Sequence, residues 1–453
     1  MRIVIGGGGK VGEFLCQELS NANHDVLIID QDEGILQDLI DRMDISGIVG
    51  NIASQETLAE ADAGSADMFI AVTDQDEINM IGALLAKHMG ADHTTVRVRD
   101  PIYRNRNGVL SSSLGLDLII NPEHDAAVHI ADLIRNPHAL NVETFSRNRV
   151  TLIELHIDPG SHLDGLRLMD FRQRYGNILV TVIQRGDQII VPQGSDSLKV
   201  GDNFFIVGEK SAISNFYHQV GRAEKAIHSV LILGGGYITY ELADMLAGSG
   251  REITIMEVEP ERARELSESL PGARILLGDG TNQEFLEEAR IGSYDCMVAL
   301  TGIDEENIMA SLYGLHRGVR KIITKVNRTN ILRLLTNQGL DAIVTPKFLV
   351  ANRILKKVRS VESSRSSNVE DVYRIADNKA EALMFTVTDQ SVARDIPLKD
   401  LNTRNNTIVA CIIRDNRIFY PGGFDTIKTG DQVLIVTSSK QYDDIDDILE
   451  DAR

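Results

Sequence analysis

Two short stretches carry the residues best suited to chemistry: "GGGKVG" at 7–12 and "GGGYIT" at 234–239. Glycines spaced GxGxxG let a backbone bend sharply and approach a pyrophosphate, while the helix that follows offers unpaired N–H groups to an anion. In this reading Gly7 permits the turn, Gly9 the close approach and Gly12 the seating of the helix against the sheet. Gly6 and Gly8 are surplus and are expected only to loosen the turn. The pattern alone is weak, but its context occurs twice: each copy follows an apolar run, opens a helical pattern and precedes an acid at the next strand end. Gly7 to Asp30 spans 23 positions, and so does Gly234 to Glu257. A carboxylate there accepts hydrogen bonds from both ribose hydroxyls and repels a 2′-phosphate, so Asp30 favours NAD(H) or an adenosine nucleotide (ATP/ADP) over NADP(H). In the second copy Thr239 replaces the third glycine, and is expected to push helix and sheet slightly apart or to be absorbed by a small neighbour.

Further candidates fall at strand ends, where open α/β sheets place ligands. Asn51 after "IVG" and Asp279 after "LLG" are placed to pair with an adenine edge, or to serve as plain turn residues. Thr73 and Asp76 follow the fourth strand, and Thr301 occupies the place of Thr73 in the second half; Asp76 equally suits a helix cap. Arg97 and Arg99, two apart on a strand, share one side of an element that a covered sheet buries, so they require an anion nearby: a nucleotide phosphate, or a carboxylate such as Glu123. Lys325 and Asn327 make a weaker positive site in the second half. Gly8, Lys10, Val11 and Ile52, with Tyr237 and Ile238 in the second loop, complete the candidate cofactor-binding set. No His, Lys or Tyr recurs in both halves at a strand end, so no catalytic or metal-ligating residue is expected; His124 and His129 read as surface or interface residues. A dehydrogenase would need an acid/base group beside the nicotinamide, and an NAD-dependent oxidoreductase stands as the alternative reading.

The elements that must position these residues are written twice. "IAVTDQDEINM" at 70–80 is echoed by "VALTGIDEENIM" ending at Met309, and "NPEHDAAVHI" from Asn121 by "TPKFLVANRI" from Thr345. "RIVI", "VLII", "GIV", "MFIAV", "TVRV" and "DLII" are six strands alternating with helical spacing such as Val11, Leu15 and Leu19, the pattern of a parallel sheet covered on both faces. A second kind of unit, with closely spaced strands around "RGDQ" or "RDNR", recurs at 180–208 and 408–437 and reads as a small α+β module. The order is therefore four domains in two tandem units: 1–138, 145–222, 228–360 and 370–453. The junctions fall near 138–150, 221–228 and the polar "VRSVESSRSSN" at 358–368, which suits an exposed connection. The segments 122–137 and 346–360 are apolar on one side and fit either docking onto a neighbouring lobe or closing their own core.

A net charge of −20 disfavours nucleic acid and anionic membrane surfaces. Cys16, Cys296 and Cys411 share no metal or redox spacing, which fits a reducing cytosol. The opening "MRIVIGGGG" predicts no cleavable leader, and no apolar run approaches the ~20 residues that cross a bilayer.

In sequence order, "GGGKVG", "LIID", "VGNIAS" and above all "AVTDQDEINM" resemble the TrkA family of cytosolic regulatory subunits of Trk potassium-uptake systems. The resemblance implies tandem Rossmann-like lobes of RCK N-terminal (RCK/KTN) type, each followed by a small RCK C-terminal (TrkA-C) module. It implies a ring-forming homo-oligomer, cytoplasmic and peripheral on the inner face of the membrane, that gates a TrkH/TrkG-type membrane subunit when NAD(H) or ATP/ADP binds. Family nucleotide contacts would fall on Gly7, Gly9, Gly12, Asp30, Asn51, Thr73 and Arg99, and on Gly234, Gly236, Glu257, Asp279 and Thr301.

Overall fold

The computed structural model describes the chain apart from residues 101–102, 104–114, 146–148, 222–225, 329–338, 341, 367–368, 377–378, 439–441, 443 and 451–453. Six strands of the first lobe, β1 (Arg2–Gly6), β2 (Asp25–Asp30), β3 (Ser46–Val49), β4 (Met68–Ala71), β5 (His93–Arg97) and β6 (Leu118–Ile120), form one parallel sheet in the order 3-2-1-4-5-6. Between them run α1 (Lys10–Asn21), α2 (Glu33–Arg42), α3 (Gln55–Glu60) and α4 (Asp76–Met89), and α5 (Pro122–Arg135) follows β6. Local signals set the helix starts: Asp32 caps α2 through the Gly34 and Ile35 amides, Ser54 caps α3, and Asn121 before Pro122 caps α5 through the His124 amide. The order reverses between β1 and β4, so the first glycine loop and Thr73 flank the crevice at the switch point.

A five-stranded antiparallel sheet follows, β7 (Asn141–Phe145), β8 (Val150–His156), β9 (Ile178–Arg185), β10 (Gln188–Ile190) and β11 (Asn203–Gly208), with helices α6 (Leu168–Tyr175) and α7 (Lys210–Gln219). The second lobe repeats the parallel order with β12 (Ser229–Leu233), β13 (Glu252–Glu257), β14 (Ala273–Leu277), β15 (Cys296–Ala299), β16 (Lys321–Lys325) and β17 (Ala342–Val344). Its helices are α8 (Tyr237–Leu246), α9 (Pro260–Ser269), α10 (Gln283–Glu288), α11 (Asp304–His316) and α12 (Pro346–Ser366). A second antiparallel sheet contains β18 (Val369–Ile375), β19 (Ala380–Thr386), β20 (Thr407–Arg414), β21 (Arg417–Phe419) and β22 (Gln432–Thr437). Among its described residues this module has short 3-10 turns, Leu398–Asp400 and Ile445–Ile448, instead of α-helices. The two antiparallel sheets share a core in which Phe145, Leu152 and Phe205 meet Ala382, Met384 and Cys411.

The helices after the sixth strands are exchanged between lobes. Ala127, Ile130, Ala131 and Ile134 of α5 pack with Ile238, Leu242 and Leu246 of α8 in the second lobe. Val350, Ile354, Val358 and Val361 of α12 pack with Leu15 and Leu19 of α1 and with Ile3 and Ile5 beneath them. Both sets fall at helical spacing, so each helix buries one stripe on the other lobe. Docking onto the neighbouring lobe is therefore what the structure has, rather than closure of each lobe's own core.

Two junction readings change. Residues 358–366 are not an exposed connection but the end of α12, because Val358 and Val361 face the first lobe and are fully buried despite the surrounding serines and charges. The junction near 138–150 contains β7, whose Val142 and Phe145 belong to cores. Half of the junction near 221–228, residues 222–225, lies outside the described residues.

Candidate functional site

After β1 the chain turns at Gly7, whose φ of +108° is a conformation that side chains rarely adopt, and whose amide donates to the Ile29 carbonyl at 2.8 Å. The Gly8 amide donates to Asp30 Oδ2 at 2.5 Å, and the Asp32 amide to Oδ1 at 2.9 Å, so the acid after β2 ties the glycine loop to the next turn. Gly6 and Gly8 are not loosening residues. A Cβ on Gly6 would lie 2.7 Å from Ile52 Cγ2, and one on Gly8 2.8 Å from Ile35 Cγ2. Gly12 is tighter still: its Cβ would stand 1.9 Å from the Gly7 carbonyl oxygen, so the close neighbour is the turn itself more than the sheet.

Gly9 differs from all of these. Its φ is an ordinary −66°, and a Cβ there would meet nothing within 4 Å. It stands at the N-cap of α1, with no side chain capping the first turn. The fold itself makes no demand for glycine at this position; only the space in front of the helix gains from it. Gly236, the N-cap of α8, repeats the situation with φ −69° and nothing within 4 Å.

The second loop is built alike, with Gly234 at φ +92° and the Gly235 amide donating to Glu257 Oε2 at 2.6 Å. Thr239 is fully buried and does not wedge helix from sheet. Its hydroxyl donates to the Gly234 carbonyl at 2.5 Å, converting the close contact of the first loop into a hydrogen bond.

In front of the first loop lies a cavity of about 600 Å³, lined by Gly7, Gly9, Lys10, Val11, Asp30, Thr73, Arg97 and Arg99. The exchanged helix α12 adds Lys347, and the second lobe adds Ile238, Lys325 and Asn327. The second loop faces a cavity of about 550 Å³ that brings together Gly234, Gly236, Tyr237, Ile238, Glu257, Asp279 and Thr301. Both volumes fall in the usual range for small-molecule pockets. Arg99, Glu123, Ile238 and Lys325 line both, so the cavities meet across the inter-lobe seam. Lys347 escapes sequence reasoning because it reaches the first cavity from the opposite half of the chain.

Other candidates take different places. Asn51 does not line the main cavity; its Oδ1 accepts from the Ala53 amide at 2.8 Å, the turn role. Ile52 is buried and borders a side cavity of about 200 Å³ continuous in lining with Asp30 and Thr73. Asp76 Oδ2 accepts from the Arg99 and Asp100 amides, each at 2.8 Å, so it positions the chain beyond β5 instead of facing the cavity. Asn79 accepts from the Thr73 amide at 2.9 Å and donates to the Arg97 carbonyl at 3.0 Å. Asp304 and Asn307 do the same in the second lobe, at the Asn327, Arg328 and Thr301 amides and the Lys325 carbonyl. The run "TDQDEIN" and its echo are thus staples across the switch point.

The two arginines part company. Arg97 ends β5 and Arg99 lies beyond it. Arg99 Nε donates to Glu123 Oε1 at 2.7 Å, the carboxylate alternative. Arg97 donates to the Thr73 carbonyl at 3.2 Å, but its Nε is buried without a hydrogen-bond partner. Burial and the adjacent Arg99 lower its pKa, against the opposing pull of Glu123, Asp76 and Asp74. His124 and His129 lie in the seam: His124 Nδ1 is 3.0 Å from Glu241 Oε2, and burial pulls His129 down to about 4.

No helix among the described residues is long and apolar enough to cross a membrane. The Trk system potassium uptake protein TrkA homolog of Archaeoglobus fulgidus is 33% identical over 448 residues, covering 99% of this chain and all of that one. The Trk system potassium uptake protein TrkA of Halomonas elongata is 29% identical, over 97% of this chain and 96% of its own. Among solved structures, the GsuK RCK domain aligns with a TM-score of 0.62 at 17% identity, over 97% of this chain and 92% of that one; the GsuK channel bound to NAD aligns at 0.63 and 17%, over 97% and 77%. The parallel lobes and antiparallel modules are thus of RCK type. The TrkA-N domain matches residues 3–122 and 230–346 and the TrkA-C domain residues 152–221 and 383–450, so with its two tandem TrkA-N and TrkA-C repeats this chain belongs to the TrkA family of Trk system potassium uptake proteins.

Proposed function

We propose that this chain is a nucleotide-sensing regulatory subunit of a Trk-type potassium uptake system, responding to NAD(H) or ATP/ADP through its two glycine-loop cavities, each of which takes an adenosine-containing ligand. The observation that carries the reading is the open space at Gly9 and Gly236, where glycine serves no packing or conformational need of the protein. A phosphate there would meet the free amides at the start of α1 or α8. Arg97, which lines the first cavity, adds a cation on the side from which the phosphate would enter. A fold relative, the GsuK channel, has been solved bound to NAD, which favours a dinucleotide among the ligands.

The ligand would act by shifting populations and not by being consumed. Arg99 and Lys325 line both cavities, and α5 and α12 are each part of the opposite lobe, so an occupant that binds two lobe arrangements unequally changes their balance. A homo-oligomeric ring, cytoplasmic and peripheral on the membrane, would pass that shift to a TrkH/TrkG-type partner. The test pairs a binding isotherm for NADH and ATP with absorbance at 340 nm in the presence of candidate substrates, and with co-purification of the membrane partner with and without nucleotide. Binding without turnover, with partner gating or affinity altered by nucleotide, is the expected result. Hydride transfer that disappears in Asp30→Ala would replace the regulatory reading with an oxidoreductase.

A further inference from the structure

The two cavities are nearly equal in size and opposite in charge. The first gathers Lys10, Arg97, Arg99, Lys325 and Lys347 against Asp30, Asp74 and Glu123. The second has only the shared Arg99 and Lys325, against Glu123, Glu257, Asp279 and Glu306. Arg99 is already engaged by Glu123. Arg262, close by, is not part of the lining: its Nε donates to the Gly235 carbonyl at 2.8 Å and its Nη1 pairs with Glu265 at 2.8 Å.

The exchange is also directional in polarity. Where the first lobe has Lys10, Gln31 and Gln75, the second has Tyr237, Val258 and Ile303. These three line the second cavity and remain 44%, 61% and 51% exposed, an apolar surface presented to whatever enters. A flat aromatic base lies well on such a surface, and the ribose hydroxyls meet the Glu257 carboxylate. Each further phosphate brings negative charge into a cavity that already has more carboxylates than cations, and that repulsion is strong where water is partly excluded.

We propose that the second-lobe cavity is a low-charge adenosine subsite that takes adenosine or adenosine monophosphate and disfavours di- and triphosphates, while the first-lobe cavity takes the polyphosphates. This rests on the reading that both cavities hold adenosine-containing ligands. The chain would then sense two different species at once, the second of them the kind of product that reactions cleaving nucleotide phosphates leave behind.

Titration calorimetry of the full chain in magnesium-free buffer tests it, with adenosine, AMP, ADP and ATP as probes. Gly9→Asp closes the first cavity and Gly236→Asp the second, each side chain entering open space, so the fold should survive; circular dichroism checks that it does. In the Gly9→Asp chain, affinity is expected to fall about tenfold from AMP to ATP; in the Gly236→Asp chain it is expected to rise by about as much. Adding Tyr237→Lys to the Gly9→Asp chain should recover most of the lost ATP affinity. The same ranking in both variants, ATP tighter than AMP in the Gly9→Asp chain, no binding to that chain when the unaltered chain binds, or no recovery with Tyr237→Lys would each overturn the proposal. Failure of all four probes with the unaltered chain would instead overturn the nucleotide reading beneath it.

Discussion

The two glycine loops solve one steric problem in two ways. In the first, a Cβ at position 12 would stand 1.9 Å from the Gly7 carbonyl oxygen; in the second, Thr239 has that Cβ and donates its hydroxyl to the matching carbonyl of Gly234 at 2.5 Å. The second turn is slightly more open: a Cβ on Gly7 would lie 2.8 Å from the Thr73 amide nitrogen, but one on Gly234 3.1 Å from its nearest neighbours. The third glycine of the motif therefore answers to the turn's own carbonyl. A donor side chain can take its place once the helix start has room, whereas the second glycine, open on both sides of the comparison, answers to no neighbour within the chain.

Changes at these positions separate the two demands. Gly12→Val should cost the most, about 3 kcal/mol in urea unfolding, because no donor replaces the lost clearance and the helix must move. A cost below roughly 1 kcal/mol would mean the first turn opens as readily as the second. Gly9→Asp should weaken NAD(H) or ATP binding by about a hundredfold, a loss of ~2.7 kcal/mol, while leaving unfolding within ~0.5 kcal/mol of the unaltered chain. Gly236→Asp should cost less binding of those ligands, and equal losses in the two variants would show that the second loop is no weaker a site. Thr239→Gly should lose about 1–2 kcal/mol, from the hydrogen bond and from added backbone freedom, and Thr239→Ser should keep most of it.

A smaller difference lies along the seam. α5 presents His129 where α12 presents the exposed Arg353, paired with Asp125 at 2.5 Å. Burial lowers His129 from 6.5 to about 4, so the unfolded chain binds its proton first, and this contribution to stability is present above pH 6.5 and lost as pH falls toward 4. Burial raises Glu143 from 4.5 to about 7, so its contribution runs the other way, lost as pH rises from 4.5 toward 7. The two oppose each other between about 4.5 and 6.5. His129→Asn should leave stability falling with pH across that window, and Glu143→Gln should leave it rising; identical pH profiles for the two variants would show that neither group is held as its surroundings imply.

Much of the fold is legible in the chain itself. The six apolar runs, the glycine spacing and the acid 23 positions on each mark a local requirement, and local requirements survive in sequence. The partners of a surface do not. The stripes on α5 and α12 announce that something covers them, but nothing in their spacing says that the cover is the other lobe. Likewise 358–366 reads as polar from its serines and charges, while Val358 and Val361 are the ones that decide its place. Lys347 is invisible as a cavity residue for the same reason, and Asp76 is visible as special but not as a staple, since its partners are the Arg99 and Asp100 backbone amides, which carry no sequence signature.

The exchange of α5 and α12 has a consequence for how the halves relate to dilution. An association that separate polypeptides would have to sustain by concentration is here made within one chain, where the effective local concentration is fixed by the covalent link. The pairing of lobes should thus persist at any dilution of the chain, without the concentration dependence that a pairing of separate polypeptides would show.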